Sequence, residues 1–236
     1  MEHRKIPDIC GICRGGFVCS QNFKVVVFDM DGTLIKGASC WEILHKYFRS
    51  DPKLVKKNME DYLMGRISYC EWMRRDLLLW KQNNRYPHIS EVKKALKNYE
   101  MVEGAYESIK ELKRRGYITA IVTGGLDILA EEIARKLGIE YIYANGFKTD
   151  ENGYLTEHVK CIVDPCEKGR NLMDLSKKLK IPLSTFIAVG DTRFDLSMFK
   201  IVGLNIAFNP KDEIIEKHAN IVIKNNSLFK ILEYIP

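Results

Sequence analysis

Two carboxylates lie two residues apart directly after a short apolar run, in the segment Asp29-Met30-Asp31-Gly32-Thr33-Leu34. At this spacing both side chains can project into one pocket, and Gly32 permits a turn that no side chain obstructs. One carboxylate could attack a phosphorus atom while the other protonates the leaving oxygen and later activates water. Both would repel a phosphate, so the pattern calls for a divalent cation, and such oxygen ligands suit Mg²⁺. The alternative is an Asp-rich loop that only caps a strand.

Three polar clusters later in the chain could act on the same group. Thr123-Gly124-Gly125 offers a hydroxyl and backbone N–H groups to phosphate oxygens. Lys168 begins a helical stretch and could neutralise both Asp29 and a bound phosphate. The segment from Gly190 to Asp195 supplies two carboxylates, the first of them well placed to bind a metal. Each cluster alone is more typical of an ordinary turn or a solvated group, but the four in this order form a specific pattern.

Buried strands must position these clusters. Residues 24–28, 117–122 and 185–189 are continuous apolar runs rich in β-branched residues, which predict strands buried on both faces, as in parallel sheets. Amphipathic helical stretches precede the second and third runs, so the chain is predicted to contain βαβ units in an α/β sheet. Further strands are predicted at residues 205–208 and 221–223. In such sheets ligands bind at the edge where these strands end.

The stretch between the first strand and residue 101 has a different pattern. It predicts three helices with no buried strand between them, at residues 41–48, 52–64 and 68–80. We therefore expect residues 36–101 to form a helical cap, residues 23–35 and 102–236 to form the core, and residues 1–22 to form a poorly ordered leader. Aromatic residues at helical spacing in the cap predict packing between its helices rather than contact with substrate. They are Trp41, Tyr47, Phe48, Tyr62, Tyr69, Trp72 and Trp80.

Within the core, residues 144–163 predict a β-hairpin. Glu151-Asn152-Gly153 offers turn chemistry between two short alternating runs.

Composition and charge exclude several classes of protein. The 236 residues are 46% hydrophobic and 29% charged, which is typical of a globular chain. No apolar run reaches the roughly 18 residues that span a bilayer, and MEHRKIPDIC lacks the apolar stretch of a secretory signal, so we predict a cytoplasmic protein. The net charge of +6 is spread over helices beside Glu rather than gathered in a basic stripe. We expect a small anionic substrate, with no nucleic-acid or membrane partner.

The seven cysteines divide into two groups. Three lie in the leader, where they form half of a zinc site without a second pair, so a metal, redox or partner-binding role stays an alternative there. They are Cys10, Cys13 and Cys19. Four are scattered singly and are predicted to be small buried hydrophobes rather than ligands. They are Cys40, Cys70, Cys161 and Cys166.

The four clusters resemble the motifs of the haloacid dehalogenase superfamily, and within it the phosphoserine phosphatase-like group of archaeal subfamily IB. The DxDGT motif matches residues 29–33, the second motif matches Thr123, the third matches Lys168, and GDxxxD matches residues 190–195. The similarity extends from about Phe23 to the C-terminus. It implies a Rossmann-like parallel sheet with a small helical cap inserted after the first strand.

The resemblance also implies a role for each residue in a Mg²⁺-dependent phosphatase. Asp29 resembles the nucleophile that forms an aspartyl-phosphate, and Asp31 the general acid and base. The Mg²⁺ ligands implied are the carboxylates of Asp29 and Asp191 and the backbone carbonyl of Asp31, with Asp195 in support. The phosphate clamp implied comprises Thr123, Gly124 and Lys168. The cap would open for substrate and close to exclude water.

Three positions depart from the pattern of the group. The position of a substrate-reading Glu corresponds to Ala38, and that of a cap arginine to Asp76. Arg74 and Arg75 come just before Asp76, and a shift of one residue would bring Arg75 to the substrate; Arg75 is the predicted contact, with Arg74 as the alternative. Phe194 replaces the usual Asn of the fourth motif. The sequence therefore predicts a phosphatase for a small phosphorylated metabolite whose recognition of phosphoserine is doubtful, with a phosphomutase or a non-catalytic binding module as alternatives.

Overall fold

The computed structural model describes residues 22–236, so the predictions for the leader and for its three cysteines lie outside the described residues. The strands are β1 (Val25–Phe28), β2 (Ile118–Leu126), β3 (Tyr141–Thr149), β4 (Leu155–Lys160), β5 (Phe186–Gly190), β6 (Leu204–Phe208) and β7 (Ile221–Ile223). The helices are α1 (Cys40–Tyr47), α2 (Pro52–Leu63), α3 (Tyr69–Leu78), α4 (Ile89–Leu96), α5 (Ala105–Arg114), α6 (Asp127–Leu137), α7 (Gly169–Leu179), α8 (Leu196–Phe199) and α9 (Glu213–His218).

The predicted α/β sheet is confirmed. Seven strands of the described chain pair in the order β4-β3-β2-β1-β5-β6-β7, and all neighbouring pairs are parallel except β3 with β4. All four residues of β1 are fully buried, because Val26 and Phe28 pack into one hydrophobic cluster and Val25 and Val27 into another. Side chains of a strand alternate between the faces of its sheet, so β1 has an apolar layer on both sides.

The strand order reverses at β1: β2 and β3 follow on one side of it, and β5 and β6 follow on the other. The connections that leave the carboxyl ends of β1, β2 and β5 therefore meet at one place on the sheet edge. A crevice at such a switch point is where open α/β sheets bind ligands. The first and fourth polar clusters lie at the carboxyl ends of β1 and β5, and the second lies within the last residues of β2.

Four helices, α1 to α4, lie between β1 and α5, and we call residues 36–101 the helical insert. Serine or aspartate side chains cap α1, α2 and α3, which begin close to the predicted positions. The short helix α4 was not predicted; His88 caps it in a capping box with Glu91. Among the helices formed by residues 22–236, none is long and apolar enough to cross a membrane.

The predicted hairpin is confirmed, since β3 and β4 pair antiparallel. Asp150 organises its turn by accepting hydrogen bonds from the backbone N–H groups of Asn152 and Tyr154. Gly153 has a φ of +82°, a conformation that glycine adopts without strain. The parallel pairing of β3 with β2 attaches this hairpin to the edge of the main sheet.

The prediction of four isolated buried cysteines is wrong for three of them. Cys70, at the start of α3, forms a disulfide with Cys161, just after β4, and their Cα atoms are 5.7 Å apart. Cys166 is free but exposed, whereas Cys40 is buried as predicted. A sequence pattern cannot pair two cysteines that are 91 residues apart, because only the packing of α3 against β4 brings them together. The bond joins the helical insert to the core.

Candidate active site

Asp29 lies directly after β1 and is buried, with 5% of its surface exposed. Its backbone N–H donates to the carbonyl of Val189 on β5, so the parallel pairing of the two strands fixes the start of the loop. Lys168 is also buried, and its Nζ lies 2.6 Å from Asp29 Oδ1 and 2.7 Å from Asp195 Oδ1. The structure thus brings together three residues that are far apart in the sequence.

The charges of this buried group influence one another. Burial raises the pKa of Asp29 well above its ordinary value; Lys168 opposes the rise, and Asp195 and Asp191 add to it. Burial lowers the pKa of Lys168, but the attraction of Asp195 and Asp29 outweighs burial and raises it. Lys168 is therefore a fixed positive charge among carboxylates that repel one another.

Asp31 lines the same cavity as Asp29 but is part of no ion pair among the described residues. Burial raises the pKa of Asp31 to about 6, although hydrogen bonds from Cys40 oppose the rise. A carboxyl group with a pKa near neutrality can both give and take a proton, as general acid–base catalysis needs.

Gly32 follows Asp31 with a φ of +91°, and a methyl group there would overlap the carboxylate of Asp191 and the ammonium of Lys211. This close approach explains why a glycine stands at the turn.

Three carboxylates could hold a divalent cation. Oxygen atoms of Asp29, Asp191 and Asp195 lie within 4.8 Å of one another. Asp191 Oδ1 is buried without a hydrogen-bond partner, and Asp191 Oδ2 lies 2.9 Å from Lys211 Nζ as an ion pair. Burial and, to a smaller extent, repulsion by Asp195 together raise the pKa of Asp191 to about 6, while Lys211 opposes the rise. Such an oxygen donor set with an unsatisfied acceptor fits Mg²⁺.

Asp195 differs from the other two carboxylates because protein donors already occupy it. Its Oδ2 accepts from the backbone N–H groups of Asp191 and Thr192 at 3.0 and 3.1 Å, and its Oδ1 accepts from Lys168. These bonds fix the loop after β5 and orient both Asp191 and Lys168. Its predicted part in metal binding is therefore best described as support.

Thr123 lies inside β2, which extends through the predicted phosphate loop. Its Oγ1 accepts from the Gly125 N–H at 2.9 Å, which leaves the hydroxyl proton available to a phosphate oxygen. The carbonyl of Gly124 accepts hydrogen bonds from Trp41 and Tyr69 of the helical insert, at 3.0 and 2.7 Å. The insert therefore contacts the same loop that the sequence assigns to phosphate.

A cavity of about 700 Å³ lies between the helical insert and the sheet edge. Apolar side chains of the insert border it, and so do these residues of the site: Asp29, Asp31, Thr123, Gly124, Gly125, Lys168 and Lys211. The prediction that the insert aromatics only pack on each other is therefore incomplete. Trp80 and Phe48 stack inside the insert, but Trp41, Tyr69 and Trp72 also line the cavity.

The structure does not bring Arg75 to the cavity. Its Nε lies 3.1 Å from Glu71 and its Nη1 lies 3.1 Å from Asp61, and it is not among the lining residues. The helical period of α3 instead turns Asp76 toward the cavity wall. Arg75 therefore pairs with Glu71 on its own helix and with Asp61 on α2, and it is not the predicted substrate contact.

Three further residues of the site were not predicted. Lys211, in the loop after β6, pairs with Asp191, and His45 on α1 lies in the cavity wall. Buried Asn145 on β3 donates to Gly124 and Val163 carbonyls and accepts from two backbone N–H groups of the segment after β4. The sequence carries no signal for them, because each acts through residues that are distant in the chain.

The comparisons with known proteins agree with this geometry. The sequence model of the haloacid dehalogenase-like hydrolases matches residues 23–203. The phosphoserine phosphatase of Methanocaldococcus jannaschii is 38% identical over 213 residues, which cover 90% of this chain and 97% of that protein. The phosphoserine phosphatase of Wolinella succinogenes is 30% identical over 214 residues, covering 90% of this chain and 100% of that one.

Solved structures show the same similarity. A phospho-aspartyl intermediate analogue of phosphoserine phosphatase has a TM-score of 0.75 and 36% identity, and covers 91% of this chain and 100% of that chain. A substrate-bound phosphoserine phosphatase complex has a TM-score of 0.76 at 36% identity, with 91% and 99% covered. These structures share the fold of this chain over nine-tenths of its length.

Proposed function

The chain belongs to the haloacid dehalogenase-like hydrolase family and is a phosphoric monoester hydrolase, and we propose that Asp29 is its nucleophile. The observation that carries this proposal is the position of Asp29 at the end of β1, beside Lys168 and in the wall of the cavity. The solved structure described as a phospho-aspartyl intermediate analogue supports the same chemistry for a similar chain.

The reaction then has two steps. A carboxylate oxygen of Asp29 attacks phosphorus, the bond to the alcohol oxygen breaks, and Asp31 gives its proton to that oxygen. Water next attacks the aspartyl-phosphate while Asp31 takes a proton from it, which releases phosphate and restores both carboxyl groups. A pKa of about 6 for Asp31 suits both transfers, because the protonated and the ionised forms of the carboxyl group are both accessible near neutral pH.

The remaining residues hold the phosphate and balance its charge. Thr123 donates its hydroxyl proton to a phosphate oxygen, and Lys168 neutralises charge beside Asp29 without leaving Asp195. Phosphatases of this family generally use Mg²⁺. We propose that Asp29, Asp191 and the Asp31 backbone carbonyl hold it, where the bound ion would offset the negative charge of phosphate and carboxylates.

The test is hydrolysis of p-nitrophenyl phosphate with and without Mg²⁺. Wild-type protein should release phosphate with Mg²⁺, and the Asp29→Asn variant should not, whereas Asp174→Asn, a surface carboxylate that bonds Tyr143, should behave as wild type. Beryllium fluoride should form an adduct on Asp29. An Asp29→Asn variant that retains wild-type activity would refute the assignment. Isomer formation from a hexose phosphate, instead of free phosphate, would indicate the phosphomutase.

The natural substrate is a small phosphomonoester, and we propose that it is not phosphoserine. Phosphoserine is the substrate named for the relatives in the comparisons. In this chain Ala38 and Asp76 occupy the positions at which the group carries residues that read the serine moiety. Asp76 supports this proposal most directly, because it is an anion in the cavity wall where a carboxylate-binding cation is expected.

A further inference from the structure

The helical insert contributes one deeply buried carboxylate to the cavity wall. Asp76 on α3 is 3% exposed and borders the cavity. Its Oδ1 accepts from Asn58 Nδ2 at 2.8 Å, and its Oδ2 lies 3.1 Å from His45 Nε2. Two donors from two different helices therefore hold the carboxylate in one orientation.

The hydrogen bonds of His45 assign the position of its ring proton, and Ser50 Oγ, 3.0 Å from His45 Nδ1, can donate to this atom as Trp80 does. Trp80 Nε1 donates to His45 Nδ1 at 3.1 Å, and an indole N–H can only donate. The Nδ1 atom therefore carries no proton, the ring proton is on Nε2, and Nε2 donates to Asp76. Trp80 is fully buried, so water cannot take its place at His45. Asp76 consequently receives hydrogen bonds from His45 and Asn58 but no positive charge from either.

The cations that line the cavity do not offset this charge. They are Lys46, Lys56, Lys168 and Lys211. Two of these lysines, Lys46 and Lys56, are exposed to solvent, and Lys56 also pairs with Glu60 at 3.7 Å. The other two pair with carboxylates of the proposed active site. Among the described residues no lysine or arginine pairs with Asp76, and its contact with His45 is a hydrogen bond. A buried charge without a counter-charge is costly, so a cation on the ligand would stabilise it.

The rest of the wall is apolar and aromatic. Trp41, Tyr69 and Trp72 contribute rings, and Val55 and Met59 contribute aliphatic groups. Aromatic faces attract cations as well as apolar groups. A cavity of about 700 Å³ is within the range of pockets that enclose drug-sized molecules, and it exceeds what a phosphate on a short chain requires.

From this juxtaposition we propose that the enzyme selects phosphomonoesters of amino alcohols with an apolar or aromatic body, and that Asp76 is the specificity residue that binds the protonated amine. The proposal rests on the phosphatase function proposed above. The phosphate end of such a substrate contacts the residues around Asp29, and the ammonium end contacts Asp76. A substrate carboxylate at the same end is repelled, which is the reverse of the recognition expected from an arginine.

A matched pair of substrates tests this in the wild-type protein. Tyramine phosphate, esterified at the phenol, and 4-ethylphenyl phosphate differ only in the ammonium group. We expect kcat/KM to be about 10- to 100-fold higher for the ammonium ester, the effect of one charge-assisted hydrogen bond. The corresponding ester that ends in a carboxylate should be the poorest of the three. An equal or lower kcat/KM for the ammonium ester overturns the proposal, as does a preference for glycerol 3-phosphate.

Two variants assign the effect to Asp76. Asp76→Asn keeps the size of the side chain and should reduce the ratio of kcat/KM for the ammonium ester to that for the neutral ester to about one. Glu42→Gln removes an exposed carboxylate from the same cavity and should keep the wild-type preference. If Asp76→Asn retains the full preference, Asp76 is not the specificity residue. If that variant does not fold, the three esters measured on wild type still decide the substrate class.

Different results would contradict the proposed phosphatase mechanism and the inference about Asp76. If p-nitrophenyl phosphate and all the matched esters are untouched in Mg²⁺, the proposed phosphatase mechanism fails. If p-nitrophenyl phosphate is hydrolysed but the ammonium ester has no advantage, only the inference about Asp76 fails.

Discussion

At the scale of single residues, the site depends on close approaches that leave no space for additional atoms. Gly32 and Gly37 both have a φ of +91°, but their surroundings differ. A methyl group on Gly32 would overlap Asp191 and Lys211, whereas a methyl group on Gly37 would meet no atom within 4 Å. A comparison of alanine variants at these two positions therefore distinguishes the effect of backbone strain from the effect of displacing Asp191 and Lys211.

We predict that Gly32→Ala lowers kcat by about 100-fold or more, because displacement of Asp191 by part of an ångström misaligns the reacting groups. Gly37→Ala should carry the same backbone strain of about 1–2 kcal/mol without loss of turnover. Steady-state kinetics on p-nitrophenyl phosphate and thermal unfolding of both variants provide the measurement. Equal losses of activity in the two variants would show that the backbone conformation, not the contact with Asp191, is what matters.

At the scale of secondary-structure elements, the helical insert is held against the core at several points. Trp41 and Tyr69 donate to the Gly124 carbonyl, and Tyr62 donates to Asp164. The Cys70–Cys161 disulfide adds a covalent connection between α3 and the end of β4. The cavity lies between insert and core, so this connection limits any movement of the insert that would widen the cavity.

We predict two effects when the disulfide is reduced by dithiothreitol or removed in Cys70→Ser. Stability should fall by roughly 2–4 kcal/mol, since the bond closes a long loop in the unfolded chain. Turnover should rise, since the insert opens more freely. Thermal unfolding and kcat, measured with the thiol state checked by mass spectrometry, test both. Cys166→Ser, which removes a free cysteine, should match the wild type. Identical stability and turnover in the oxidised and reduced protein would contradict this role.

At the scale of the whole molecule, segments far apart in the chain converge at the proposed active site, where three carboxylates repel one another. Asp29, Asp191 and Asp195 come from the ends of β1 and β5, and Lys168 from the start of α7 compensates only part of their charge. A cation that binds this cluster in the folded chain binds the unfolded chain weakly, so binding stabilises the fold by mass action.

We predict that Mg²⁺ raises the unfolding temperature and that EDTA reverses the change. At a concentration 100-fold above its dissociation constant, the ion should add about 2.7 kcal/mol. Asp191→Asn should lose this response, and Asp174→Asn should keep it. Differential scanning calorimetry at matched ionic strength provides the measurement. A wild-type transition that is the same in Mg²⁺ and in EDTA would argue against a metal site at these residues.

The sequence alone determined the sheet and the position of the four motifs on it. Continuous apolar runs such as Val25–Phe28 are local signals, because a strand buried on both faces needs apolar residues at every position. The DxDGT segment was identified from residue types at short spacing, and Lys168 from its place at the start of a predicted helix and in the order of the four clusters. The hairpin was equally local, since Asn152 and Gly153 specify its turn.

The tertiary structure alone decided which long-range partners meet. The pairing of Cys70 with Cys161, of Lys211 with Asp191, and of Asp76 with His45 and Asn58 depends on how helices pack, and packing has no period in the sequence. The same packing turned Arg75 away from the cavity and Asp76 toward it, because adjacent positions on a helix point about 100° apart. The proposed reacting groups could therefore be named from the sequence, whereas the wall of the cavity exists only in the folded chain.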